Sequence, residues 1–191
     1  MNASGLVCIL LPVLLAQPSP FTEAVPAQLL PHLSATERRG EHLVTKGGCH
    51  DCHTPGRIAA DAVVPDMARM LSGHPEQLKV PNRSRLPKLW AIVAASLRTA
   101  FTGPWGTSFG TNLTPDRETG LGGWTEQDFI EVMRTGQHRG RKLLPPMPVG
   151  QYGEADLKAI WAYLRRVPAI RNQVPSPQPP REGAPAGASA R

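Results

Sequence analysis

Residues 47–54 read Gly-Gly-Cys-His-Asp-Cys-His-Thr, and the placing of Cys49, Cys52 and His53 in that run decides how the rest of the chain is read. With 3 Cys and 6 His in 191 residues, C-x-x-C-H arises by chance in about one chain per thousand. The third cysteine, Cys8, lies in the apolar stretch Gly5–Ala16 (GLVCILLPVLLA). That stretch is too short to span a bilayer and reads as the apolar region of an export signal. Small-residue cleavage points follow Ala24 and Ala27, although no Lys or Arg precedes the run. The expectation is a signal peptide over 1–27, which takes Cys8 with it. Cys49 and Cys52 then remain, and no disulfide framework beyond that pair can form.

The spacing has a chemical reason. Two thiols three positions apart can each add to a vinyl group on one edge of a haem, and the imidazole of His53 then comes to the iron. Two other readings compete. A structural zinc site needs four ligands. Cys49, Cys52 and His50 or His53 could supply some of them, but there is no second C-x-x-C, and His74 and His138 are isolated. A thioredoxin-like pair needs a βαβ setting. Here a helix signal precedes the motif and a Pro/Gly loop follows it.

Outward from the motif, the composition is that of a globular chain, with 40% apolar and 19% charged residues and a length that suits one domain. The 21 prolines and 18 glycines argue for long loops. The formal charge of +6 favours acidic partners. The basic residues are scattered, with short clusters at Arg139–Lys142 and Arg165–Arg166 that solvated faces explain, so no nucleic-acid partner is expected.

Ser34-Ala-Thr-Glu37 is a capping box. It opens a helix that runs to about Lys46 and stops at Gly47-Gly48, with Leu43 and Val44 on its apolar side and Gly40 leaving room for another helix. A short helix is expected around Asp66–Leu71. A second stretch from Asn82 or Ser84 carries Leu86, Leu89, Trp90, Val93 and Leu97 at helical spacing. Short strand pairing is allowed over Thr107–Leu113, but the segment is too Gly-rich for a large sheet. Thr125-Glu-Gln-Asp128 is a second capping box; Phe129, Ile130, Val132 and Met133 form the buried side of its helix, which Gly136 ends. The last helix is expected over Glu154–Arg166, acidic at its start and basic at its end as the helix dipole favours. Its inner stripe is Leu157, Ile160, Trp161 and Leu164. The tail, 172–191, is Pro-, Ala- and Gly-rich and is expected to be disordered.

Leu143-Leu-Pro-Pro-Met-Pro-Val149 holds a methionine between prolines. An extended backbone of this kind gives Met147 no helix or strand to pack from, but presents its thioether at a fixed place. Met147 is therefore read as the distal iron ligand opposite His53. The other conceivable sixth ligands are His74 and His138, which lie beside Gly or Pro in expected surface loops, and Met67, Met70 and Met133. A neighbouring backbone carbonyl should fix the His53 ring, with Pro65 as its expected supplier.

The order helix, Cys-x-x-Cys-His, loops, helix, Pro-flanked Met, C-terminal helix resembles a single-haem class I-like cytochrome c. Three stretches resemble bacterial cytochrome c proteins and the cytochrome subunits of membrane-bound alcohol and aldehyde dehydrogenases. They are Gly103-Pro-Trp-Gly with Asn112-Leu-Thr-Pro-Asp116, Thr119-Gly-Leu-Gly-Gly-Trp-Thr-Glu-Gln-Asp-Phe129, and Leu144-Pro-Pro-Met-Pro148 before Asp156–Leu164. The resemblance covers about residues 35–170. It implies thioethers at Cys49 and Cys52, iron ligation by His53 and Met147, terminal helices crossing beside the haem, and a periplasmic location. Two features depart from the pattern: the motif occurs once, where multi-haem subunits repeat it, and the interval from His53 to Met147 is long for a minimal cytochrome c.

The expected fold is thus mainly α: a cytochrome c domain over 28–171 with a loop-rich insertion at 54–123. The expected function is electron carriage rather than catalysis, with one covalent haem c. The expected partners are a donor dehydrogenase and an acceptor oxidase or cytochrome, and a membrane anchor is not expected. The rival reading is a haem enzyme or gas-binding cytochrome with an open iron site.

Overall fold

Ser34 begins the first helix through the box its sequence predicts. In the computed structural model, which describes residues 32–80, 93–94 and 98–180, the Ser34 hydroxyl accepts from the Glu37 N–H at 3.2 Å. The Glu37 carboxylate accepts from the Ser34 N–H at 2.6 Å. Two N–H groups with no partner inside the helix are thereby satisfied. Helix α1 (Ala35–Lys46) ends at Gly47, and after Gly48 the motif itself forms the short helix α2 (Cys49–His53).

The next section is built of small hairpins. Strands β1 (Gly56–Ala59) and β2 (Ala62–Pro65) pair antiparallel, Gly56 facing Pro65. A 3-10 turn follows at Met67–Arg69, in place of the longer helix expected over Asp66–Leu71. Asp66 gives that turn no side-chain cap, and Leu71 takes a left-handed φ of 58° that ends it. Strands β3 (Val93–Ala94), β4 (Ala100–Gly103) and β5 (Gly106–Phe109) form an antiparallel sheet in that order, Ala100 facing Phe109 and Gly103 facing Gly106.

Val93 therefore stands opposite Thr102 in a sheet, not on the helical face expected for it. The β4 edge offers backbone groups that need partners, and pairing satisfies them. Leu86, Leu89, Trp90 and Leu97 of that expected face lie outside the described residues, as do the signal over 1–27 and residues 181–191 of the tail.

Helix α3 (Glu126–Thr135) opens on a second capping box, Thr125 with Asp128, and ends at Gly136. The two-residue strands β6 (Gln137–His138) and β7 (Arg141–Lys142) pair as a hairpin, and α4 (Glu154–Leu164) closes the set two residues short of its expected end. Leu157, Ile160, Trp161 and Leu164 are buried as the stripe predicts, with Trp161 against Phe129 of α3 at 5.6 Å between ring centroids. Helices α1 and α4 cross at Gly40, where a Cβ would overlap the Ala159 carbonyl. Ion pairs of Arg39 with Asp156 and of Arg166 with Glu37 flank the crossing. The terminal helices meet as expected. The described residues hold four helices and three small antiparallel sheets, so a mainly α description leaves out the sheets that follow the motif.

The chain beyond Asn172 differs from its expectation. Asn172 is buried, donating from Nδ2 to the Ser72 and His74 carbonyls at 2.7 and 2.9 Å and accepting from the Glu76 N–H at 3.1 Å. Gln178 then pairs with Thr107 of β5 through both backbone groups. Residues 172–180 thus form a strap held by hydrogen bonds, not by apolar mass, which is why composition gives no sign of it. Among the described residues, no helix is long and apolar enough to cross a membrane.

Candidate functional site

The short helix α2 sets Cys49 and Cys52 one turn apart and brings His53 to the inner side, where it is 7% exposed. Both cysteines are half-buried and neither is in a disulfide; Cys49 packs against the core. Burial pushes Cys49 up to about 11 and also raises Cys52, on which Asp51 adds to the effect. A protonated, half-buried pair is the reverse of the activated thiolate that a thioredoxin-like centre requires.

His53 is held by one bond. Its Nδ1 lies 2.8 Å from the backbone carbonyl of Thr111. A carbonyl only accepts, so Nδ1 carries the proton and Nε2 keeps its lone pair. Nε2 has no hydrogen-bond partner among the described residues. Burial holds the ring below the ordinary imidazole value, with the Thr111 bond working in the opposite direction. A neutral imidazole with one free nitrogen is the form that ligates iron.

The carbonyl comes from Thr111 and not from Pro65, whose place is in the β1–β2 hairpin. Gly110 makes this approach available, because a Cβ there would overlap the Cys52 carbonyl. Further bonds lock the same crossing: the Gly73 N–H donates to the His53 carbonyl and the His74 N–H to the Gly110 carbonyl, both at 2.8 Å. In sequence terms, a glycine two positions before Asn112 was the signal available.

Met147 lies half-buried in the loop between β7 and α4. That loop is tied at its ends by Leu143 N–H to Gly136 carbonyl (2.7 Å) and Gly150 N–H to Met133 carbonyl (2.8 Å), and in its middle by the Ser108 hydroxyl to the Pro145 carbonyl (2.6 Å). The competing ligands are engaged elsewhere. His74 is fully buried, not in a surface loop, and both its ring nitrogens are satisfied, by the Thr99 hydroxyl at 2.9 Å and the Leu78 carbonyl at 3.1 Å. His138 stacks on Trp124 with centroids 3.9 Å apart. Met70 is part of the core, and Met67 and Met133 pack against it.

The zinc reading finds no support here. Among the described residues, no three His, Cys, Asp or Glu side chains are grouped to hold a metal ion. His50 turns to the Thr54 hydroxyl at 2.8 Å. Two thiols on one helical turn followed by an imidazole with a free Nε2 fit a haem attached through two thioethers.

The Asn112–Asp116 stretch has a structural role. The Asn112 side chain accepts from the Thr114 N–H and hydroxyl at 3.0 and 2.7 Å and donates to the Ile170 carbonyl at 2.7 Å. Asp116 accepts from the Thr119 N–H and hydroxyl at 2.7 and 2.6 Å. These bonds fix the segment that presents the Thr111 carbonyl.

No protein-family model matches the chain. Several curated proteins do. A nicotinate dehydrogenase subunit of Pseudomonas putida is 40% identical over 79 residues, 39% of this chain and 7% of that protein. The gluconate 2-dehydrogenase cytochrome c subunit of Pantoea cypripedii is 29% identical over 134 residues, 68% of this chain and 23% of the relative. The fructose dehydrogenase cytochrome subunit of Gluconobacter japonicus is 27% identical over 173 residues, 85% of this chain and 27% of the relative. The matched stretch is thus about a quarter or less of the length of each of these relatives. By sequence, the chain is similar to c-type cytochromes, and among them to the cytochrome subunits of bacterial dehydrogenases.

Proposed function

We propose that this chain is an electron-transfer protein that carries one c-type haem, bound through Cys49 and Cys52, with His53 and Met147 as its axial ligands. It passes electrons from a dehydrogenase, or another donor, toward the respiratory chain on the periplasmic side. The observation that carries the proposal is the state of His53, with its Nδ1–H donating to the Thr111 carbonyl and its Nε2 without a hydrogen-bond partner among the described residues.

A haem held in this way supplies an iron that alternates between Fe(II) and Fe(III), and a thioether ligand favours Fe(II) and raises the potential. The residues supply position. The two thiols fix one edge of the ring system, and the Thr111 carbonyl sets the plane and basicity of the His53 imidazole. The Pro-flanked loop brings a soft sulfur ligand and closes the second axial place to oxygen and peroxide.

The test is a pyridine haemochrome spectrum with an intact mass on the exported protein. One covalent haem per chain is expected, lost in the Cys49→Ala, Cys52→Ala variant. A chain without it would overturn the proposal. Met147→Ala should abolish the ferric iron–sulfur charge-transfer band and lower the potential. An unchanged spectrum would favour an open iron site and the haem-enzyme or gas-binding reading.

A further inference from the structure

Two bonds that bear on the iron site lie three residues apart on one segment. The Thr111 carbonyl accepts from the Nδ1–H of His53, and the Ser108 hydroxyl donates to the Pro145 carbonyl at 2.6 Å. That hydroxyl also lies 3.4 Å from the Phe101 carbonyl. It has one proton, and the shorter contact takes it. Ser108 is 7% exposed, so the bond is shielded from water on its donor side, while Pro145 is exposed.

The segment is well braced. All four residues of β5 are buried, β4 pairs with it, and Gln178 pairs with Thr107. The loop it meets has few ties of its own. Pro145, Pro146 and Pro148 have no N–H to donate. Within 145–148, the Met147 N–H reaches the Leu144 carbonyl only at 3.4 Å. The bond from Ser108 is the short one that anchors the loop's middle.

We infer that Ser108 is a positioning residue for Met147: its hydroxyl holds the Pro145 carbonyl, so that one rigid segment, 106–111, sets both the proximal imidazole and the distal thioether. This rests on Met147 being the iron ligand, as proposed above. Without the bond, the loop leaves the iron more readily and an added ligand displaces the sulfur more easily.

The experiment titrates ferric holoprotein with imidazole, following the iron–sulfur charge-transfer band, and records urea unfolding in parallel. Ser108→Ala should tighten apparent imidazole binding about three- to tenfold, the size of one neutral hydrogen bond. Ser108→Thr, which keeps the hydroxyl, should bind imidazole as the parent does. Thr102→Val removes a different bond of the same hairpin, Thr102 to Thr107 at 2.9 Å. It should lower the urea midpoint and leave imidazole affinity unchanged. Equal imidazole affinity in Ser108→Ala and the parent would overturn the inference, and so would Thr102→Val matching Ser108→Ala. A parent protein without the sulfur band would instead overturn Met147 as the ligand, a separate and distinguishable failure.

Discussion

The backbone carbonyl of Thr111 accepts a hydrogen bond from the Nδ1–H of His53, 58 positions away in sequence, at 2.8 Å. The approach depends on Gly110, where a side chain would meet the Cys52 carbonyl. Gly110→Ala should therefore force α2 and the 110–112 segment apart, at about 1–3 kcal/mol. A fall in the urea midpoint should be accompanied by a shifted potential, because the bond that orients the imidazole lengthens. Voltammetry and urea unfolding of the same holoprotein check both.

Asn172 makes a second prediction. Its side chain joins the Ser72 and His74 carbonyls to the Glu76 N–H from the start of the strap. Asn172→Ala leaves these backbone groups without their partner, a loss of about 2–4 kcal/mol. The neighbouring Arg171 makes an exposed ion pair with Glu118 at 3.3 Å, so Arg171→Ala should cost less than about 1 kcal/mol. Denaturant titration of the two variants separates a buried amide from a surface charge.

The parts of this fold that read correctly from sequence are those whose signal is local. The Ser34–Glu37 and Thr125–Asp128 boxes and the stripe from Leu157 to Leu164 each specify an element within a few residues, and each appears where expected. The C-x-x-C-H pattern of Cys49, Cys52 and His53 is equally local, and the three fall on one short helix. What sequence did not reveal depends on distant chain. The hydrogen-bond acceptor for His53 is a backbone oxygen that carries no residue signature, so Pro65 is as eligible as Thr111. His74 looks like a loop residue beside Gly73, yet it is buried because Thr99 and Leu78 satisfy both its nitrogens. The strap at 172–180 has a disordered composition, but a single amide at Asn172 pairs with groups about a hundred positions away.

Helix α1 should respond to changes at either of two points. Ser34→Ala removes the acceptor for the Glu37 N–H and should cost about 1 kcal/mol. Gly40→Leu places a side chain where the Ala159 carbonyl lies, and overpacking of this kind should cost about 3 kcal/mol or more. Thermal unfolding followed by far-UV circular dichroism should rank them in that order. The reverse order would mean that α1 and α4 do not meet at Gly40.

His74 gives the fold a pH dependence with a definite sign. Its Nε2 faces a carbonyl and must carry the proton, so Nδ1 accepts from the Thr99 hydroxyl and the buried ring is neutral. Burial holds its pKa below the ordinary imidazole value. As pH falls below about 6.5, the unfolded chain takes up the proton first and the native state loses stability. The contribution is complete above that pH and declines until the folded ring itself titrates. Asp116 and Asp128, whose carboxyls Thr119 and Thr125 hold below the usual range, lose their contribution only as pH falls through about 4, the unfolded carboxylate value, below this window. Urea midpoints of the parent should therefore fall between about pH 7.5 and about pH 5. His74→Gln, less stable at the higher pH, should show a shallower fall. Parallel slopes in the two proteins would assign the acid sensitivity to another group.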